Sequence, residues 1–121
     1  MNVRECTVAV KQLRETLNIM QEQIFLIEFE NCISKDRPCI VLDCSQVHQI
    51  DRSGTYLLLR CLEEAMKRNG DVRLAEVHVE VRAVLTLTGL DRIFEIFDAN
   101  ADAVKSFLQP PLYAVSRMCA P

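Results

Sequence analysis

The sequence predicts a single small α/β domain in which a mixed, mostly parallel β-sheet carries its helices mainly on one side. Three observations predict it. Short runs rich in β-branched and aliphatic residues alternate with amphipathic stretches of about 10 to 15 residues, the pattern of strands joined by crossover helices. One run, Cys39-Ile40-Val41-Leu42-Asp43-Cys44, is almost continuously apolar, as a strand covered on both faces must be. A chain of 121 residues with 50% hydrophobic content is enough for one core and too little for two. The domain is expected over residues 1–108, followed by an extended or disordered tail at 109–121 with Leu112-Tyr113 as a short segment able to dock.

Taken in order, Cys6-Thr7-Val8-Ala9-Val10-Lys11-Gln12-Leu13 has β-branched residues in partial alternation, which suits a strand with one solvated face. Asn18 followed by Gln21 resembles a capping box, so a helix is expected from there toward Ile33. Within it, Ile24-Phe25-Leu26-Ile27-Glu28-Phe29 also fits a strand; wound as a helix it spreads apolar groups almost all round the axis. A polar turn over residues 34–38 then leads into the apolar strand. The following helix is expected to open at Thr55, with Leu58, Leu62, Ala65 and Met66 as its inner stripe and Glu63/Lys67 and Glu64/Arg68 as i, i+4 ion pairs. Asn69-Gly70 ends it, as residues tolerant of the left-handed region do. Val72-Arg73-Leu74-Ala75-Glu76-Val77 alternates as a strand. Val81, Val84, Leu85 and Thr88 form a helical stripe stopped by Gly89, and Phe94-Glu95-Ile96-Phe97 reads as a short strand. Asn100 caps a last helix with Val104, Phe107 and Leu108 inward, and Pro110-Pro111 stops it.

Charge and composition exclude several functions. The net charge is −3 and the pI about 5.4, with no Lys/Arg cluster longer than a pair such as Lys67-Arg68, so a phosphate backbone finds no electrostatic footprint and nucleic-acid binding is not expected. No apolar stretch approaches the roughly 18 to 20 residues that span a bilayer, and Met1-Asn2-Val3-Arg4-Glu5 does not lead into the apolar region of a signal peptide. The expectation is a cytoplasmic protein without direct membrane insertion. Six cysteines occur with no C-x-x-C spacing, and Cys39 and Cys44 lie on opposite faces of one strand, so the cysteines are expected to be small apolar core residues in a reducing compartment. His48 and His78 have no partner at metal-ligand spacing and are read as surface or loop residues, so neither a metal nor a cofactor is expected.

The most informative segment is Asp51-Arg52-Ser53-Gly54, between the apolar strand and the amphipathic helix. A serine at a helix start lies beside unpaired backbone N–H groups, where its hydroxyl can cap the helix or carry a phosphate. No nucleophile in the sequence comes with a base and an orienting group, and no glycine-rich phosphate loop is present. A binding module, rather than an enzyme, is expected.

At these motifs the sequence resembles the STAS domains, the family of sulfate transporters and anti-sigma-factor antagonists. The resemblance runs from about Val8 to Phe107 and rests on Ile40-Val41-Leu42-Asp43-Cys44-Ser45 leading to Ile50-Asp51-Arg52-Ser53-Gly54, then Met66-Lys67-Arg68-Asn69-Gly70, then residues 87–97. It implies a regulatory switch. In the antagonist branch the unmodified protein binds an anti-sigma factor, which is also a serine kinase that phosphorylates the serine preceding the motif glycine, here Ser53; a phosphatase reverses the mark. Asp51, Arg52, Ser53, Gly54, Thr55 and Tyr56 are the residues this implies for partner binding. The alternative within the family is a non-switching adaptor, an accessory subunit of a membrane transporter or the scaffold of a sensory complex, in which Ser53 only caps the helix. The sequence departs from the family pattern at Arg52 and at Thr55-Tyr56, where smaller residues are usual, and Glu15 falls near a position where glycine is common. The nearly all-round apolar first helix, with Ile19, Phe25, Leu26, Phe29 and Ile33, suggests in addition a homodimer face or a partner groove.

Overall fold

The structure, a computed structural model, describes residues 8–13, 16–17, 19–32 and 37–108. The Asn18 cap, most of the turn at 34–38, Glu15 and the tail at 109–121 lie outside the described residues. In chain order the elements are β1 (Val8–Gln12), β2 (Thr16–Leu17), α1 (Ile19–Cys32), β3 (Cys39–Asp43), β4 (Gln49–Ile50), α2 (Arg52–Met66), β5 (Asp71–Ala75), α3 (Val79–Thr88), β6 (Ile96–Phe97) and α4 (Asn100–Leu108), with a 3₁₀ turn at Leu90–Arg92. The main sheet has the order β1-β3-β5-β6, and every pairing in it is parallel. Three strand–helix–strand units step in one direction across this sheet, so the shared handedness of such crossovers puts α1, α2 and α3 on the same face. The expected strand over residues 39–44 is the fully buried β3, paired on both sides.

Two cores of unequal size result among the described residues. On the face of the three crossover helices, Ile40 and Leu42 of β3 and Val72 and Leu74 of β5 meet Phe25 and Phe29 of α1, Leu57, Leu58, Cys61, Leu62 and Ala65 of α2, and Val81 and Leu85 of α3. On the opposite face Val41 and Ala75 meet Ala103 of α4, with Val104, Phe107, Val8 and Phe97 around them. The period-2 alternation of β3 and β5 distributes their side chains between these cores. Polar links hold α4 as well: the Arg73 guanidinium donates to the Ser106 hydroxyl at 2.5 Å and lies 4.1 Å from the centre of the Phe107 ring.

Several expectations shift at element ends and outward faces. The 24–29 run is helical, and Phe25 and Phe29 are buried against its own sheet with Leu26 packed beside them, so these residues are not offered to a second copy. Among the residues of α1 whose side chains are described, the exposed large apolar ones are Ile24 and Ile27; the side chains of Ile19 and Ile33 lie outside the described residues. Met66 is 59% exposed and Leu108 58%, because each falls one step beyond the inward stripe of its helix. Lys67 pairs with Glu64 at 3.1 Å rather than with Glu63, while Arg68 pairs with Glu64 as expected. Asn100 is the first helical residue and not a side-chain cap: its amide donates to Asp43 and its own N–H is bound by the Glu76 carboxylate. The 94–97 strand shrinks to Ile96–Phe97, since the 3₁₀ turn and the buried Phe94 take up the preceding chain. The short parallel pair β2–β4 has no counterpart in the sequence reading; two residues per strand are too few to show a period.

Glycine is required at residue 70 by a close approach. A Cβ there would overlap the Pro38 carbonyl and ring, where the link from α2 into β5 passes the start of β3 and the Asp71 N–H at the head of β5 donates to the Pro38 carbonyl at 2.9 Å. Cys44 and Cys61 are free and buried, and burial, aided for Cys44 by the neighbouring Asp43 charge, pushes the Cys44 thiol up to about 12 and Cys61 higher still; neither is a reactive thiolate. Cys39 is disulfide-bonded, which corrects the expectation that the cysteines are all thiols; spacing along one strand constrains bridges within that strand alone. No helix among the described residues is long and apolar enough to cross a membrane.

Candidate functional site

The chain reaches α2 through β4, whose pairing with β2 through Leu17 and Ile50 fixes the residue just before the helix. Asp51 is extended there, with φ −108° and ψ −169°, and its carboxylate accepts the Gly54 N–H at 2.9 Å. Asp51 is therefore the N-cap, and the helix opens at Arg52, three residues ahead of the expected Thr55. The reason is chemical: a carboxylate caps as well as a hydroxyl and adds a charge that favours the positive end of the helix dipole. Ser53 is then the second helical residue and does not cap, which corrects the capping role considered for it from the sequence.

The six residues expected to bind a partner run from the N-cap through the first turn and a half of α2 but differ in exposure. Asp51, Arg52 and Tyr56 are exposed, Ser53 and Thr55 are half-buried, and Gly54 is buried with its N–H taken by Asp51. Thr55 donates its hydroxyl to the Arg52 carbonyl at 2.8 Å. Arg60, one turn beyond Tyr56, holds its guanidinium 6.0 Å from the centre of the Tyr56 ring. Arg52, Tyr56 and Arg60 thus line one outward edge of α2 at i, i+4 and i+8, and Ser53 lies beside its start.

The other flank of this turn was not visible in the sequence. An open cleft of about 360 Å³ is lined by His48, Gln49, Ile50 and Asp51 from one side and by Glu80, Val81 and Val84 of α3 from the other. At its edge the His48 ring stacks on His78, with centroids 4.7 Å apart and planes at 20°, and His78 Nε2–H donates to the Ser45 carbonyl at 2.7 Å. The two histidines, read from the sequence as surface or loop residues, meet because each lies in the connection after one of two adjacent parallel strands. Such connections converge at the carboxyl edge of a sheet, and that rule is the signal that could have paired them.

Deeper at the same edge, Asp43 is 8% exposed and accepts the Ser45 N–H at 2.9 Å and the Asn100 amide at 3.0 Å. Burial pushes its carboxyl up, but hydrogen bonds from Ser45, Asn100 and Gln12 outweigh that and leave it below the ordinary value. Glu76, at φ 61°, turns the chain out of β5 and accepts the Asn100 N–H at 3.0 Å. Asp43 and Asp51 are thus both committed to hydrogen bonds that hold the fold. No group of three metal-ligating side chains occurs among the described residues.

Comparison with known proteins converges on one family. The STAS domain model matches residues 7–103. A Thermotoga maritima protein named as a candidate anti-sigma factor antagonist is 28% identical over 99 residues, covering 81% of this chain and 88% of that protein. The crystal structure of a T. maritima protein of the same description superposes with a TM-score of 0.70 at 27% identity, over 83% of this chain and 88% of the other. The STAS domain of a SulP transporter from Vibrio cholerae superposes with a TM-score of 0.68 at 17% identity, over 100% of this chain and 89% of that one, a likeness of fold.

Proposed function

The chain belongs to the STAS domain family, and on that premise we propose that it is a cytoplasmic anti-sigma-factor antagonist, a regulatory binding protein switched by reversible phosphorylation of Ser53. The observation that carries this is Ser53 itself, the residue before the motif glycine, at the second position of α2 on a turn whose neighbours Asp51, Arg52 and Tyr56 are exposed. Similarity to the candidate antagonist from T. maritima over 88% of that protein supports the same assignment. The partner is an anti-sigma factor that is also a serine kinase, and a phosphatase resets the switch. The chain acts by binding and performs no catalysis.

The electrostatics of the turn suit such a switch. A phosphate adds about −1.5 to −2 charges at neutral pH. Asp51 already occupies the Gly54 N–H, so the phosphate meets a helix end that carries a carboxylate, and the net change appears on the outer surface. Arg52, adjacent in sequence and exposed, is a cation able to pair with it. The fold survives while the docking surface changes charge. A loss of about 3 kcal/mol of binding free energy lowers affinity on the order of a hundredfold, enough for a switch.

A second reading follows from the fold likeness to the V. cholerae transporter domain: an adaptor on a membrane transporter or sensory scaffold, with Ser53 unmodified. Affinity capture from native cytoplasm and solubilised membranes, using wild-type, Ser53→Ala and Ser53→Asp baits, separates the two. A kinase-type anti-sigma factor held by the first two baits and lost on the third is the outcome the switch requires. A transporter or scaffold captured equally by all three establishes the adaptor instead.

A further inference from the structure

We propose that the cleft between β4 and α3 receives the guanidinium side chain of an arginine from the protein partner; the existence of that partner rests on the function proposed above. Three independent properties of the cleft select this group. Its charged lining is acidic, Asp51 from the end of β4 and Glu80 from the first turn of α3, and among the described residues no lysine or arginine lines it. Its walls include Ile50, Val81 and Val84, apolar surface of the kind that covers the methylene stem of a long basic side chain. Its lining includes His48, an aromatic ring fixed in place by stacking on His78, which is held in turn by the Ser45 carbonyl at 2.7 Å.

An arginine uses all three. Its planar guanidinium pairs with carboxylates through a fork of N–H donors, stacks on an aromatic plane and carries an aliphatic stem. A lysine matches the charge and the stem but not the plane. A neutral side chain leaves both carboxylates without a counter-charge. Asp51 can serve the cleft without giving up its cap, because a carboxylate has two oxygens and Gly54 takes Oδ1. The cleft opens beside the turn that carries Ser53, so an arginine seated there anchors the partner next to the switch without touching the serine.

The test needs no partner. The full chain, labelled with ¹⁵N, is titrated with N-acetyl-arginine amide, N-acetyl-lysine amide and N-acetyl-citrulline amide while backbone amide shifts are followed. The expected result is a saturable response to the arginine probe centred on residues 48–51 and 80–84, a weaker one to lysine and none to citrulline. Glu80→Gln, at an exposed helical site, should weaken the arginine response about fivefold, the share of one exposed ion pair. Equal responses to arginine and citrulline, equal responses to arginine and lysine, shifts centred elsewhere, or no saturation would each overturn the assignment. Because the probes are single amino-acid derivatives, such a failure leaves the Ser53 comparison untouched. Loss of the Ser53 switch, conversely, leaves the titration unchanged.

Discussion

The inward face of α2 carries Leu57, Leu58, Cys61, Leu62 and Ala65, each 8% exposed or less, whereas its first turn and outward edge carry Arg52, Tyr56, Arg60 and Met66 within reach of solvent. The two faces answer to different constraints. An inward residue is fixed by the volume left between the helix and the strands beneath it, so its identity follows from packing. An outward residue is constrained by the fold only weakly, so Arg52 and Tyr56 are open to selection by whatever docks there. Asp51 and Gly54 sit on the boundary, where their mutual hydrogen bond ties the exposed turn to the buried helix.

Breaking the inward face should cost most. Leu58→Ala removes a fully buried side chain and should lower stability by about 2–5 kcal/mol in urea denaturation. If it costs as little as an outward substitution, the contrast between the faces fails. The buried carboxylate on the opposite side of the sheet comes next. Asp43→Asn leaves the Asn100 amide facing another amide and should cost about 1–3 kcal/mol near neutral pH. The sign with pH follows from the direction of the shift. The folded Asp43 carboxyl lies below its ordinary 3.8, so its contribution is complete above that value and is lost as pH falls through the lower folded one. The acid limb of a stability–pH curve should therefore be shallower for Asp43→Asn than for wild type.

Asp51→Ala tests the boundary between the faces. Loss of the cap should cost about 0.5–2 kcal/mol, while Ser53→Ala, at a position that does not cap, should cost less. The reverse order would return the capping role to the serine. Tyr56→Ala should have the smallest effect on stability, within about 0.5 kcal/mol, yet weaken partner capture. Unchanged capture would remove this edge of α2 from the docking surface.

Long-period features of this fold were readable in the sequence. The buried β3 declared itself by a run of apolar residues, α3 by its stripe and by Gly89, which takes φ 80° at the helix end, and the end of α2 by Asn69, at φ 64°. Features that depend on a single hydrogen bond or on tertiary proximity were not. Asp51 and Ser53 are both good caps by type, and only the Asp51–Gly54 bond decides between them. The outward exposure of Met66 and Leu108 turns on a single helical step. His48 and His78 are 30 residues apart, and only the order of β3 and β5 in the sheet explains why their rings meet.

Phosphopeptide mapping of the chain recovered from its native cell, in fractions bound to and free of the proposed anti-sigma partner, tests the central claim most directly. The account predicts phosphate on Ser53 in the free fraction and its absence from the bound one. Phosphate on a different residue, or an unmodified Ser53 in both fractions while the partner still comes and goes, would contradict it.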